Sequence, residues 1–520
     1  SDLPVLERGG LQRARRYLVE RMRVAGASRF GLAHWQGSWW VYRDGRYVRQ
    51  DDSIVAANVL HWFDGFSHMH RADRVKFEAR PADVEELCKA AVVDTLVRGD
   101  ELPIELPSII DAAGVPQWGR ASSYEGIGLE LTTMTADARH RALRGRMVFA
   151  NGVLDLGDVV KTGRVKLMPH TPNVFCTTCL PFNLDVEALQ AWLDGKAIDE
   201  YMAAHAPKWW AWVADASDGD AEWERQLQLM MGDTITNDRS LEKIFLVVGV
   251  PRSGKGIIQD ALGAILGDEN VASMTLGRLA EDKFALAGLV GKQCCLFPDA
   301  HLGSFEQGAN ALDSLKSISG QDRVSVREMH RSGVTLRLSC RLWIFANQEP
   351  DIRDQSAAFA QRLITLPLRK SYLGKEDQSI KASVRQEAAG IMLWALCGAV
   401  QLARMARREI PVCTDAMQVH EDFVRRSAPV DAFVKDCVVS DPAGSIAWSM
   451  LHKCYELWCE AEGREPLGMP RFSSAMKFLV PGARTVQTRT GEGRIRHLAG
   501  CKLRDDAMAM LAKAQSPAQP

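Results

Sequence analysis

The chain contains 520 residues with a formal net charge of −1, and 25% of its residues are charged. This length predicts two to four domains, and the near-neutral charge excludes a protein that holds nucleic acid through overall basicity. The 12 cysteines are scattered, and Cys176/Cys179 have no second ligand pair at zinc-finger spacing, which favours reduced thiols over a zinc site. With no apolar signal core and no run of about 18 apolar residues, a cytoplasmic protein is expected.

The first 184 residues predict an α+β domain. A basic helix over 11–25 precedes the segment 34–50, in which aromatic and polar residues alternate around two turn signals, a pattern typical of a small antiparallel sheet. Its tryptophans suit stacking on bases, although packing within the sheet is the commoner use. Helices are predicted near 53–65 and 82–98, followed by a strand–turn–strand unit over 145–158 and an extended connector over 167–183. Beyond this domain, residues 185–232 are predicted to be mostly helical.

From residue 241 an apolar strand, a glycine loop and a helix begin an alternating pattern, which predicts an α/β core over 241–410. Residues 249–255 fit G-x-x-x-x-G-K. In such a loop the backbone N–H groups and the helix N-terminus surround the β-phosphate, and the lysine reaches the β- and γ-phosphates. The alternative is a plain glycine turn. The candidate nucleotide-binding residues are Gly249, Pro251, Arg252, Ser253, Gly254, Lys255, Gly256 and Ile257.

Two polar residues follow later apolar strands. Asp299 comes after the strand that ends at 297, and Asn347 after the strand that ends at 346. We expect Asp299 to hold magnesium through water and to polarise the attacking water, and the Asn347 amide to orient that water against the γ-phosphate. Singly, an Asp or Asn at a strand end is more often a cap or turn residue. Their order after Lys255 nevertheless favours an ATPase that uses ATP and Mg²⁺.

Residues 411–513 are predicted to form a helical linker and a second folded unit, followed by a disordered tail over 514–520. A helix over 446–462, a short helix over 471–479 and a hairpin over 483–500 resemble a winged-helix domain. From Arg464 to Arg504 there are nine Lys/Arg residues against Glu465 and Glu492, which favours DNA contact. Protein interaction is the alternative use of such a domain. The candidate wing residues are Arg489, Arg494 and Arg496.

The segment before Asn347 and a second segment after it resemble superfamily 3 helicases, most nearly the primase-helicases of phages and mobile elements, which are related to the poxvirus replication NTPase and the satellite-phage primase-helicase. The likeness is carried by Lys316, Gly320 and Asp322 and by "AAFAQRLITLPL", in which Arg362 matches the arginine finger. It is strongest over 225–370. Pieces such as "MVFANGVLDL" and "SAPVDAFVKDCV" resemble the domains that flank such helicases.

The resemblance implies an AAA+ P-loop core of α/β class, an α+β N-terminal domain, a helical collar for oligomerisation over 185–240 and a winged-helix-like C-terminal domain. Such proteins form rings, usually hexamers, with ATP between subunits, so Arg362 would enter the neighbour's site. The alternative is a surface arginine that caps a loop. A basic hairpin over 325–338 would track single-stranded DNA in the central channel, or remain a solvated charged hairpin. Its candidate DNA contacts are Lys316, Arg327, His330, Arg331 and Arg337.

The sequence departs from the resembled family at two points. Relatives commonly carry Thr where this chain has Ile257, so no loop hydroxyl is available for magnesium unless Ser253 or water substitutes. Many members also have two adjacent acids, whereas Pro298 here precedes a lone Asp299. Because Lys255, Asp299, Asn347 and Arg362 are all present, an active ATPase is still expected, with weaker magnesium binding as the open alternative.

The predicted function is therefore an ATP-dependent, ring-forming DNA helicase that moves on single-stranded or forked DNA and replicates a phage or mobile element in the bacterial cytoplasm. A primase or polymerase of the same element is the expected further partner, and no membrane is involved. One alternative is an AAA+ initiator or DNA remodeller without processive unwinding. The other is a non-catalytic DNA-binding replication adaptor with a degenerate nucleotide site.

Overall fold

The computed structural model describes the backbone of residues 3–6, 9–24, 27, 30–35, 38–70, 73–95, 104–105, 145–172, 174–298, 305–327, 333–347, 358–375, 377–427, 429–480, 482–490 and 493–515. The helices are α1 (Gly10–Arg21), α2 (Asp52–Phe63), α3 (Pro81–Thr95), α4 (Leu156–Thr162), α5 (Val186–Leu193), α6 (Asp199–His205), α7 (Pro207–Ser217), α8 (Ala221–Ile235), α9 (Lys255–Leu266), α10 (Leu276–Glu281), α11 (Phe305–Ser319), α12 (Ala358–Arg362), α13 (Gln378–Gln386), α14 (Ala388–Arg404), α15 (Thr414–Ser427), α16 (Pro429–Cys437), α17 (Trp448–Ala461), α18 (Met469–Leu479) and α19 (Asp505–Gln515).

The strands are β1 (Leu32–Trp35), β2 (Ser38–Arg43), β3 (Arg46–Gln50), β4 (Ser67–His70), β5 (Asp73–Lys76), β6 (Ile104–Glu105), β7 (Arg146–Phe149), β8 (Gly152–Asp155), β9 (Leu167–Met168), β10 (Val174–Phe175), β11 (Ile244–Gly249), β12 (Val271–Ser273), β13 (Cys294–Phe297), β14 (Arg323–Val326), β15 (Val334–Arg337), β16 (Arg341–Ala346), β17 (Leu363–Leu368), β18 (Val438–Ala447), β19 (Arg484–Thr490) and β20 (Gly493–Leu503). In the described ranges no helix is both long and apolar enough to cross a membrane.

A five-stranded parallel sheet lies at the centre of the chain, in the order β12-β13-β16-β11-β17. Its strands are near-continuous apolar runs because both faces of a parallel sheet are covered. Phe245 and Val247 of β11 belong to the apolar core on one face, whereas Ile244 and Leu246 belong to the core on the other. The C-terminal ends of these strands meet at one edge of the sheet, so residues that follow them are brought together there.

One face of the sheet is covered by α8, α9 and α14, which share a single apolar core with α4–α7. The crossing of α8 and α14 is close, because a Cβ atom placed on Gly232 would lie 2.4 Å from the backbone nitrogen of Ala399. Only glycine permits such an approach. The helices of the segment 185–240 are thus packed into the core of the central sheet, and their expected role in oligomerisation stays a prediction.

A buried ionic cluster ties α8 to the start of β16. Asp233 is fully buried, pairs with the buried Arg341, and accepts a hydrogen bond of 2.8 Å from Nη2 of Arg408. Arg239 lies beside this cluster and donates from Nη1 to the carbonyl oxygen of Thr236 at 2.6 Å. Burial lowers the pKa of Arg239 to about 10. The cluster fixes the far edge of the sheet, opposite the edge that carries residue 249.

The N-terminal region forms a small sheet, β1-β2-β3, that packs on α1–α3. Its tryptophans Trp35, Trp39 and Trp40 are between 3% and 6% exposed, so they pack within the protein instead of offering faces to bases. The region docks on the central unit, where Arg46 pairs with Glu269 at 2.9 Å. The hydroxyl of Thr177 donates to the carbonyl oxygen of Gly291 at 3.2 Å beside the same contact.

The C-terminal region has its own apolar core, formed by α16–α19 and the antiparallel sheet β18-β20-β19. The predicted helices and hairpin are present there as α17, α18 and the pair β19–β20. The sheet gains a third strand, β18, that the sequence did not predict.

The helices α13 and α14 are divided at Glu387, whose carboxylate accepts hydrogen bonds from the backbone N–H groups of Lys208 and Trp209 at the start of α7. The extended connector over 167–183 contains the short strands β9 and β10, which pair with β8 and β6.

Candidate functional site

The loop between β11 and α9 has the backbone geometry of an anion-binding turn. Arg252 and Gly254 take left-handed conformations, with φ of 62° and 99°. Alternation of left- and right-handed residues turns successive N–H groups towards one concavity, which attracts anions. A Cβ atom placed on Gly249 would lie 2.6 Å from Oγ of Ser253 and 2.8 Å from Cβ of Leu368. The start of the loop is therefore packed tightly against Ser253 and against the end of the neighbouring strand β17.

Lys255 is the first residue of α9 and its side chain is turned back over the loop. Its Nζ donates to the carbonyl oxygens of Gly249 and Val250, at 2.5 Å and 3.0 Å. Oγ of the buried Ser253 lies 3.4 Å from the same ammonium. The residue is 9% exposed, so its charge is held at the mouth of the loop, where the helix N-terminus adds its positive dipole end.

The strand register brings the second polar residue to this loop. Ala346 is paired with Val248, so Asn347 lies beside Gly249 at the same sheet edge. Phe297 is paired with Ile344, so the residue after it, Pro298, also reaches that edge. A cavity of about 1200 Å³ opens there, lined by the loop residues 251–257 together with Pro298 and Asn347. Asp299 lies outside the described residues.

The other wall of this cavity, which we call the loop cleft, comes from distant parts of the chain. Trp212 of α7 packs against the loop, because a Cβ atom placed on Gly254 would lie 2.9 Å from its ring. Tyr372 donates from its backbone to the carbonyl oxygen of Arg252 at 2.8 Å and from its hydroxyl to Asp215 at 2.6 Å. Sequence reasoning missed this wall, whose only signal was the tryptophan-rich segment 209–213.

The described walls of the loop cleft carry an excess of positive charge. The two carboxylates are Asp215 and Asp377; the hydrogen bond from Tyr372 lowers the pKa of Asp215, and hydrogen bonds from Ser379 lower that of Asp377. Both therefore remain ionised at neutral pH. The five basic residues of the lining are Lys208, Arg252, Lys255, Lys375 and Lys381. A cleft with this balance and a glycine loop fits a polyanion such as a triphosphate.

The described residues do not fit a magnesium ion held by the loop. Gly256 follows Lys255 and offers no hydroxyl, and a Cβ atom placed on it would lie 3.3 Å from Nζ of Lys381. An ammonium group thus stands beside the position from which a side-chain oxygen would coordinate the ion. Over the described ranges no group of three or more His, Cys, Asp or Glu side chains is arranged for a metal.

Arg362 lies at the opposite edge of the sheet from the loop. It directly precedes β17, whose first residue pairs with Ile244 and whose last pairs with Gly249. The start of β17, next to Arg362, is therefore five residues of parallel strand away from Gly249, a distance of about 17 Å along the strands. The guanidinium lies near the C-terminal end of α11, where a Cβ atom on Gly320 would be 3.1 Å from Nη2, and it is 3.9 Å from Glu242. In its own chain Arg362 is therefore too far from the loop to touch a bound phosphate.

The predicted basic hairpin is formed by β14 and β15, which are antiparallel. Arg327 is exposed beyond β14, whereas Lys316 is half-buried near the end of α11. Arg337 is half-buried at the base of the hairpin and lines a small cavity with Trp35 and Thr177, facing the N-terminal sheet. His330 and Arg331 lie outside the described residues. The structure thus separates Arg337 from Arg327, and the DNA roles of all five stay predictions.

The C-terminal hairpin carries the other candidate DNA contacts. Arg489 pairs with Arg494 and Gln487 with Arg496 across β19 and β20, so the three arginines lie along one hairpin. Arg496 is exposed, and the side chains of the other two lie outside the described residues. Arg471 and Lys477 lie on the exposed face of α18, beside Phe478, which is 79% exposed.

Comparison with known proteins gives one family match and remote likenesses in fold. Residues 247–362, from the glycine loop to Arg362, match a family model described as a family of unknown function (DUF5906). Apo structures of the NrS-1 C-terminal region cover 95% of this chain and 100% of their own, at 11% and 12% identity with TM-scores of 0.47 and 0.48. At this level of similarity no functional assignment rests on them.

Proposed function

We propose that this protein is a nucleoside triphosphatase, built on an AAA+ core, that uses ATP hydrolysis to move along single-stranded DNA as a ring. The observation that supports it most is the loop cleft itself. The lysine-bearing loop, the Asn347 strand end and an excess of basic side chains surround one cavity at a single sheet edge. A plain glycine turn would need neither the cavity nor the charge.

In this proposal the triphosphate lies along the loop between β11 and α9. Lys255 exchanges its contacts with the loop carbonyl oxygens for the β- and γ-phosphates. Trp212, 3% exposed, packs behind the loop at Gly254 and supports its conformation. Ile380 and the ring of Tyr372 supply apolar surface in the same cleft.

The Asn347 amide holds the attacking water in line with the γ-phosphate, and Asp299 polarises that water. Charge that develops on the transferred phosphoryl group needs a cation at the open side of the cleft. Because Arg362 is too far from its own loop, it acts on the nucleotide of a neighbouring subunit, across an interface of the kind that a ring repeats.

A forked-duplex assay distinguishes a protein that moves along DNA from one that only remodels it. A translocating protein separates the strands only while ATP is hydrolysed, so Lys255→Ala should abolish separation, and a slowly hydrolysed ATP analogue should not replace ATP. Lys196→Ala, at an exposed residue between α5 and α6 that does not line the cleft, serves as the control and should unwind normally. Strand separation by Lys255→Ala at the rate of the unmodified protein would reject the proposal.

A further inference from the structure

Lys381 lies beside Gly256, the position at which a G-x-x-x-x-G-K-[ST] loop carries a hydroxyl. A Cβ atom on Gly256 would be 3.3 Å from Nζ of Lys381 and 3.6 Å from its Cε. A hydroxyl carried on that Cβ atom would therefore reach towards the same space as this ammonium. Both residues line the loop cleft together with Lys255 and Asn347. The cation is thus on the nucleotide side of α9.

The packing of two helices holds Lys381 in this place. Gly256 and Asp260 are one turn apart on α9 and lie on the same face of that helix. Lys381 of α13 approaches this face, with its Nζ 3.7 Å from Asp260. Because no side chain projects from Gly256, the lysine crosses the start of α9 to reach the cleft. Its side chain is 63% exposed, so it is free to turn from Asp260 to a phosphate.

We propose that Lys381 is a nucleotide-binding residue that takes the place of a loop-held magnesium ion. This rests on the proposed function of the cleft. A second ammonium beside Lys255 neutralises phosphate charge directly, and it repels a divalent cation from the position next to Gly256. The site therefore retains a nucleoside triphosphate when divalent metal is absent.

The test is equilibrium binding of a fluorescent ATP analogue, measured once with Mg²⁺ and once with EDTA. The unmodified protein should bind with dissociation constants that agree within about threefold, because its charges are supplied by side chains. Lys381→Ala should weaken binding in EDTA by about tenfold, the loss of one charge-assisted contact. Lys381→Arg should keep most of the affinity.

A matched control and a rescue make the result specific. Lys196 is 64% exposed and pairs with Glu200 at 3.3 Å, so Lys196→Ala removes a comparable surface charge away from the cleft and should leave both affinities unchanged. Adding Gly256→Ser to Lys381→Ala supplies a hydroxyl at the position after the loop lysine, and should recover affinity in Mg²⁺ but not in EDTA.

The outcomes distinguish this inference from the function on which it rests. If the unmodified protein binds the analogue only with Mg²⁺, or if Lys381→Ala binds normally in EDTA, the role of Lys381 is wrong while the nucleotide site stands. If the unmodified protein binds no nucleotide under either condition, the proposed function itself is overturned. Circular dichroism of each variant confirms that the fold is retained.

Discussion

At the scale of single residues, the glycine loop has no room for a side chain at Gly249. A methyl group there would meet Ser253 at 2.6 Å and the backbone oxygen of Leu368 at 2.8 Å. Gly249→Ala should therefore displace the loop from β17, lower the stability of the core by about 1–3 kcal/mol and abolish ATP binding. Calorimetric titration with ATP and thermal unfolding measure the two effects.

A glycine elsewhere provides the comparison for this variant. A Cβ atom on Gly288 would meet no atom within 4 Å, so Gly288→Ala should bind and unfold like the unmodified protein. If Gly249→Ala bound ATP with unchanged affinity, the loop geometry described here would not be the one that holds phosphate.

At the scale of secondary-structure elements, β17 places Arg362 about 17 Å from the loop of its own chain. Arg362→Ala should leave ATP binding unchanged and lower the turnover number by about 10³-fold, the lower end of the range for arginine fingers in GTPases. Binding and steady-state phosphate release are measured on the same preparation.

Mixing two inactive variants tests whether the arginine acts across a subunit interface. In a ring that contains both Arg362→Ala and Lys255→Ala chains, some interfaces combine an intact loop with an intact arginine, so part of the activity should return. Equal loss of binding and turnover in Arg362→Ala, with no recovery on mixing, would indicate instead that Arg362 stabilises the end of α11 within one chain.

The buried ionic cluster between α8 and β16 should contribute strongly to the stability of the central unit. Asp233→Ala leaves the guanidinium groups of Arg341 and Arg408 in the interior without their carboxylate, and loss of one partner of a buried pair costs about 3–5 kcal/mol. Thermal unfolding of the central unit should shift to lower temperature accordingly. Glu200→Ala, which breaks only an exposed pair, should shift it little; comparable shifts for the two would show that the cluster contributes nothing beyond a surface pair.

These elements also show how far the sequence could predict the site. The strand, loop and helix around Lys255 are contiguous, and apolar periodicity with two glycines is enough to predict them. The far wall depends instead on α7 and on residues 372–381, which long-range contacts such as Tyr372 to Arg252 bring to the loop. The position of Lys381 over Gly256 depends on the packing of α13 on α9, a relation that no local pattern contains.

At the scale of the whole molecule, the account requires DNA to be held by basic surfaces that are separate from the nucleotide cleft. Arg496 is exposed on β20. If the C-terminal unit contacts phosphates, Arg496→Ala should flatten the dependence of log K on log salt for single-stranded DNA by about 0.7 without changing base preference. Fluorescence anisotropy across a salt series measures the slope.

Two further variants should be measured in the same salt series. Arg327→Ala, on the hairpin of the central unit, should flatten the slope by a similar amount, whereas the exposed Lys161→Ala should not change it. An unchanged slope for Arg496→Ala would remove the C-terminal hairpin from the DNA-binding surface and favour its use as a protein-interaction module.

Steady-state phosphate release from ATP, measured with and without single-stranded DNA, decides whether a triphosphate is cleaved in the loop cleft under the control of DNA. The basal rate should rise on addition of DNA and disappear in Lys255→Ala. If the unmodified protein released no phosphate with any nucleic acid, or if its rate survived the loss of Lys255, the proposed function would be wrong.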